Sequence, residues 1–236
     1  MKFLVKWSKQ GSMRYISHLD IMRLFQRALK RTDIKLKYSE GYSPHPKMSI
    51  AQPLSLGYTS IGEYIEFETQ EQYEAEDIVR RLNSAMPEGI EMLSCSVLEN
   101  TKKAVGALII EGEYLIGCDE ISSAGEVKAL CGAVEKLRSE KHIMIKKIQK
   151  KSGKETEIDI RPRIKSIEVE EADSAHVLLR VMADTGSFSH LNPEFIIAEL
   201  KKYMGNELKT MEFHVQREEM FAASADGGLT PLYLLR

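Results

Sequence analysis

The spacing of apolar residues switches repeatedly between strand and helix periods over the first hundred positions. That order limits the fold more than any other feature of the chain. Residues 2–8 read as a strand, with Gly11-Ser12 as a turn. Ser17 fits a helix N-cap with Asp20 as an acidic variant of the capping box, so a helix follows to about Arg31. Met22, Phe25, Ala28 and Leu29 fall on one face of it, and Arg23, Arg27, Lys30 and Arg31 in a neighbouring stripe. Ile34 to Tyr38 reads as a short strand, followed by a segment rich in Gly, Pro and Ser over 39–60. Gly62 to Thr69 alternates, with Ile65 and Phe67 opposing Tyr64, Glu66 and Glu68, which predicts a strand with one wet face. A second helix over 74–86 uses Ile78, Val79, Leu82 and Met86 and stops at Pro87-Glu88-Gly89, before a strand over 90–98. The order βαββαβ is the split βαβ of a ferredoxin-like domain.

The second half repeats the theme with less contrast. A strand over 107–117, a helix over 124–138, a hairpin of 142–150 with 155–161 turning at Ser152-Gly153, and strands at 164–170 and 176–183 are expected. Asn192 caps a helix with Pro193 at its first position, running to about Met204, and a strand over 207–217 follows. The fold class is therefore α+β: two ferredoxin-like domains in tandem, with antiparallel sheets and helices packed on one face. Boundaries are drawn at 1–100, 106–218 and a tail of 219–236, with a polar joint at Asn100–Val105. Ser17-His18-Leu19-Asp20 and Ser189-His190-Leu191-Asn192 match, each just before a helix, as two similar strand-to-helix junctions would.

The formal net charge of −2 conceals a strong asymmetry. Residues 1–50 hold 11 Lys/Arg against 3 Asp/Glu, and residues 51–100 hold 2 against 10. The positive field at one end favours anionic partners. No apolar run approaches the roughly 18–20 residues of a membrane span, and the apolar start is too short for a signal peptide, so a cytoplasmic protein is expected. Cys95, Cys118 and Cys131 lack the spacing of a metal knuckle or an iron–sulfur motif and read as free, mostly buried thiols. No P-loop, dinucleotide fingerprint or nucleophile elbow is present. No cofactor is expected on this chain alone, and no metal.

Candidate functional residues cluster in 14–47. Arg14, Arg23 and Arg27 form a phosphate-contacting surface, and Tyr15, Tyr38 and Tyr42 offer stacking platforms for splayed bases. His18 and Asp20 open the helix. His45 is held between Pro44 and Pro46 in a stiff non-helical loop, with Lys47 two residues on. Rigid irregular loops carry binding groups more often than core ones.

These residues also carry a resemblance. Gly11-x-x-Arg14-Tyr15-Ile16-Ser17-His18-Leu19-Asp20-x-x-Arg23-x-Phe25-x-Arg27-Ala28-Leu29, then Tyr38-Ser39-Glu40-Gly41-Tyr42-Ser43-Pro44-His45-Pro46-Lys47, then Pro53-Leu54-x-Leu56-Gly57, resembles the radical-SAM-linked protein family. Tyr15 and Tyr42 stand where Phe is about as common. The match is specific over 11–69 and thins to Ile158-Asp159-Ile160-Arg161-Pro162 afterwards. Members are fused to, or encoded beside, a radical S-adenosylmethionine enzyme that often has a cobalamin-binding-like region. The resemblance implies that enzyme as a partner rather than a reaction on this chain. Together with the basic N-terminal segment, it suggests a non-catalytic accessory that binds tRNA or rRNA and presents it to the enzyme. Two alternatives stand beside it. One is a docking scaffold whose basic face meets an acidic patch on the enzyme without RNA. The other is a metal-independent endoribonuclease using His18 or His45 as acid or base, with Lys47 or Arg14 on the phosphorane.

Overall fold

The computed structural model describes residues 1–99, 103–119, 121–148, 155–205 and 211–235. The chain is mixed α+β, with four helices among the described residues and mostly antiparallel strands. It forms two compact units, Met1–Ile110 with Gln216–Arg236, and Glu111–Val215. The boundaries differ from the sequence expectation: residues 219–236 are no separate tail but part of the first unit.

In the first unit, β1 (Lys2–Lys9) leads through a 3-10 turn to α1 (His18–Arg31), then β2 (Met48–Ile50), β3 (Thr59–Glu68), α2 (Ala75–Ala85) and β4 (Ile90–Val97). β1 pairs antiparallel with both β3 and β4, and β2 pairs antiparallel with β3. The sheet order is therefore β4-β1-β3-β2 for an element order of βαββαβ. The strand expected at 34–38 is a correction: Leu36 and Tyr38 form only isolated bridges, to Thr69 and Pro46, and the second strand lies at 48–50. The α1 stripe is also shifted. Ile21, Phe25, Ala28 and Leu29, spaced i, i+4, i+7 and i+8, are buried, while Met22 is half-buried.

One face of this sheet carries the larger core. Phe3, Val5 and Trp7 of β1 and Ile65 and Phe67 of β3 pack with α1 and with Ile78 and Leu82 of α2. The opposite face is also covered, which overturns the wet face expected for β3. Leu4 and Tyr64 pack there with Val105, Met220, Ala222 and Leu232. Here Lys2 pairs with Glu66 and Lys6 with Glu219, and the Tyr64 hydroxyl donates to Glu219 Oε1 at 2.6 Å. Opposite charges and a hydroxyl let an alternating strand be buried on both faces, so alternation alone misjudged it.

In the second unit, β5 (Ile109–Cys118), α3 (Ala124–Ser139), β6 (Met144–Ile148), β7 (Glu155–Asp159), β8 (Ile164–Ala172), β9 (Val177–Asp184) and α4 (Pro193–Met204) follow in order. β9 lies between β5 and β8, antiparallel to both, and β6 and β7 form a separate hairpin. The hairpin turn expected at Ser152-Gly153 lies outside the described residues. Ser123 and Asn192 cap α3 and α4 through side-chain oxygens. β10 (Phe213–Ala223) begins here and runs into the first unit, where it joins β3 in parallel and β11 (Leu229–Pro231) in antiparallel. The expected strand at 207–217 is thus displaced toward the C-terminus, its first four residues lying outside the described ones.

Candidate functional site: a basic helix, a groove and a charged cavity

The helix α1 forms where the sequence places it. The Ser17 hydroxyl oxygen accepts from the Asp20 backbone N–H at 3.2 Å and donates to Asp20 Oδ2 at 2.7 Å. Arg23 Nη1 reaches Asp20 Oδ1 at 3.0 Å. The Ser17 hydroxyl first, and the Arg23 guanidinium next, hold the Asp20 carboxyl below the usual carboxylate range. Asp20 is therefore occupied with capping and with Arg23.

Much of the N-terminal positive charge is met by the acidic fifty residues that follow it. Lys35 pairs with Glu71 at 2.7 Å, Lys37 with Glu68 at 3.3 Å and Lys47 with Glu68 at 4.0 Å. Arg31 donates to the Ala85 carbonyl at 2.6 Å. Arg27 and Lys30 are exposed, and their side chains make no ion pair or hydrogen bond among the described residues. They line one side of an open groove with Lys35, and Tyr38 and Pro46 also line it. Lys47 lies outside that groove, in a depression with Lys2, Glu66 and Glu68.

The Tyr42 loop is a closed finger. Ser39 N–H donates to the His45 carbonyl at 2.8 Å, and His45 N–H donates to Ser39 Oγ at 3.0 Å. Tyr42 at its tip is fully exposed, and His45 is exposed as well. Arg14 lies over the Tyr15 ring at 4.8 Å from the centroid, and its carbonyl accepts from Gly57 N–H at 2.9 Å. His18 and His45 line no common cavity among those described.

His18 instead borders a small cavity whose polar walls the sequence reading missed: Trp7, Lys9 and Glu63. Glu63 and Arg217 are each 1 % exposed. Arg217 Nε reaches Glu63 Oε1 at 2.8 Å, and Nη2 reaches both carboxylate oxygens at 2.6 Å. Lys9, 3 % exposed, donates to the Ile16 carbonyl at 3.3 Å. Burial pulls the Lys9 ammonium below its ordinary value, opposed by the Glu63 charge and reinforced by Arg217. A lysine at a strand end gives no hint of burial. The one signal in the sequence was Glu63 beside Gly62 in a strand otherwise rich in core residues.

Burial pushes the Cys95 thiol up to about 12 and the Cys118 thiol up to about 11, so both remain protonated near neutrality. Among the described residues, no group of three or more His, Cys, Asp or Glu is placed to hold a metal ion. Nor is any described helix long and apolar enough to cross a membrane.

No curated protein matches the chain. Solved structures do, at the level of the fold. A Cbf5–Nop10–Gar1 complex matches with a TM-score of 0.53 at 11% identity, over 92% of this chain and 48% of the other. An H/ACA RNP bound to a substrate RNA containing 2′-deoxyuridine matches with a TM-score of 0.50 at 12% identity, over 91% and 46%. The chain therefore spans about half the length of the solved chains it is similar to. Residues 2–218 match the family described as "uncharacterized protein conserved in bacteria", DUF2344, and the chain belongs to that family.

Proposed function

We propose that the protein is a non-catalytic RNA-binding accessory. The observation that carries this reading is the face of α1: Arg27 and Lys30, exposed and without ion-pair partners among the described residues, beside a groove that also holds Tyr38. Cations not already committed to carboxylates are the ones that release counterions when a phosphate backbone docks. Tyr38 and the exposed Tyr42 supply ring faces for unpaired bases. The fold likeness to an RNA-bound complex is consistent with this, and at 12% identity it adds nothing finer.

The finer reading keeps both expectations from the sequence. Each unit is taken as ferredoxin-like, supported in the first by its βαββαβ order and its β4-β1-β3-β2 sheet. The RNA is a tRNA or rRNA presented to a radical S-adenosylmethionine enzyme, a partner suggested by the motif resemblance alone. Arg14, Arg23 and Arg27 contact phosphates. Arg23, paired with Asp20, and Lys47, shared with Glu68, contribute less than Arg27 does.

The test is fluorescence anisotropy with bulk tRNA and rRNA fragments across a salt series, with Arg23→Glu/Arg27→Glu alongside. Binding that weakens steeply with salt and is lost in the double variant is expected. Absence of binding at low salt refutes the RNA reading and makes the same face a protein-docking surface.

A further inference from the structure

The cavity beside the N-terminus of α1 is independent of the RNA groove. It is lined by the apolar side chains of Ile16, Ile21, Ile50 and Leu54, and its polar lining is Trp7, Lys9, His18 and Glu63. Three observations describe its chemistry. First, the Trp7 indole is 2 % exposed, and its Nε1–H has no acceptor among the described residues. A buried N–H of this kind is costly unless something accepts from it. Second, the Lys9 ammonium, which has three hydrogens to donate, has one described hydrogen bond, to Ile16 O. Third, both oxygens of the Glu63 carboxylate nearby are already engaged by Arg217. What such a surface lacks is an acceptor carrying negative charge. His18 stands at the mouth as the first residue of α1, where the helix end also favours an anion.

We propose that this cavity is a recognition site for an anionic oxygen, the oxygen of a phosphate or a carboxylate, held by the Trp7 indole N–H and the Lys9 ammonium with His18 at the entrance. The space is about 20 Å³, room for one oxygen-sized group, and it opens outward. The remainder of the molecule would therefore stay outside, over Pro53 and Leu54. Burial that pulls Lys9 toward its neutral form would be reversed when the anion arrives, so binding and Lys9 protonation are coupled. Nothing here depends on the basic groove, and the site stands or falls separately from RNA binding.

Trp7 is the only tryptophan in the chain, which makes it a direct reporter. The experiment titrates the full chain with inorganic phosphate and, separately, with acetate, following Trp7 emission at constant ionic strength against chloride. A saturable change with one of them and none with chloride is expected, and the pair identifies which oxyanion fits. Lys9→Met should weaken the response at least about tenfold, the loss expected for one charge-assisted hydrogen bond. Because Lys9 is buried, His18→Gln at the exposed entrance is titrated as a second variant that leaves the core intact, and a severalfold weakening is expected. Absence of a saturable change in the unaltered chain, or an unchanged response in both variants, overturns the assignment. Loss of RNA binding in Arg23→Glu/Arg27→Glu with the phosphate or acetate response intact would separate the two sites.

Discussion

Glu63→Gln should be the most damaging conservative substitution in the first unit, and its cost can be argued from the geometry. Glu63 and Arg217 are both 1 % exposed and joined by three contacts of 2.6–2.8 Å. Removing one partner of such a pair leaves an uncompensated buried charge, at a cost of about 3–5 kcal/mol. The two partners are not equivalent, because Lys9 also faces Glu63. Glu63→Gln takes the Glu63 charge away from both Arg217 and Lys9, which places it near the upper end, about 5 kcal/mol. Arg217→Met leaves Glu63 with Lys9, so it should cost nearer about 3 kcal/mol. That figure includes the bond from Arg217 Nη2 to the Gln52 carbonyl at 2.8 Å. The combined variant Glu63→Leu/Arg217→Met should recover most of the loss, since apolar replacement of a whole buried pair is often neutral. Urea unfolding followed by Trp7 emission reads the first unit selectively. A cost below about 1 kcal/mol for either single variant, or an equal cost for both, would refute the electrostatic reasoning, the first by removing the pair and the second by removing Lys9 from it.

Other outcomes follow from the same structure. Ser17→Ala should destabilise by about 1 kcal/mol through loss of the α1 cap, measured by urea unfolding. Tyr42→Ala should leave the unfolding midpoint unchanged, because the side chain is fully exposed, yet weaken binding to unstructured RNA by about 1–3 kcal/mol if its ring stacks on a base. Asp159 is held down to about 2, first by His142 and then by the Ile143 N–H. Its contribution is present above the unfolded carboxylate value of about 3.9 and is lost as the pH falls through about 2. Asp159→Asn should flatten the fall of the unfolding midpoint in that window. Cys95 and Cys118 should resist iodoacetamide at pH 8 in the folded chain and react on unfolding, as mass spectrometry of the labelled peptides would report.

Local chemistry was legible in the sequence wherever a residue's role is decided by its neighbours in the chain. Ser17 and Asn192 cap their helices through side-chain oxygens, because a cap needs only a side-chain oxygen and an N–H two or three residues on. The exposed stripe of Arg23, Arg27 and Lys30 followed from helical period alone. Even the β4-β1-β3 core of the first sheet was implied by the element order, since short connections and antiparallel pairing leave few alternatives.

Tertiary structure decided everything that depended on residues far apart in the chain. Arg217 lies 154 positions from Glu63, and no periodicity links them. The return of 216–236 to the first unit covers the second face of β3, turns Tyr64 and Glu66 inward, and supplies Glu219 to Lys6 and Tyr64. The same distant pairing changes the meaning of the charge asymmetry. A net excess in one stretch was read as a field, but ion pairs with the following stretch neutralise Lys2, Lys35, Lys37 and Lys47. What remains is a shorter list of uncommitted cations on α1 and the donor-lined cavity beside its N-terminus. Charge is additive along a sequence, whereas its effect depends on distance and on exclusion of water, and only the fold sets those two.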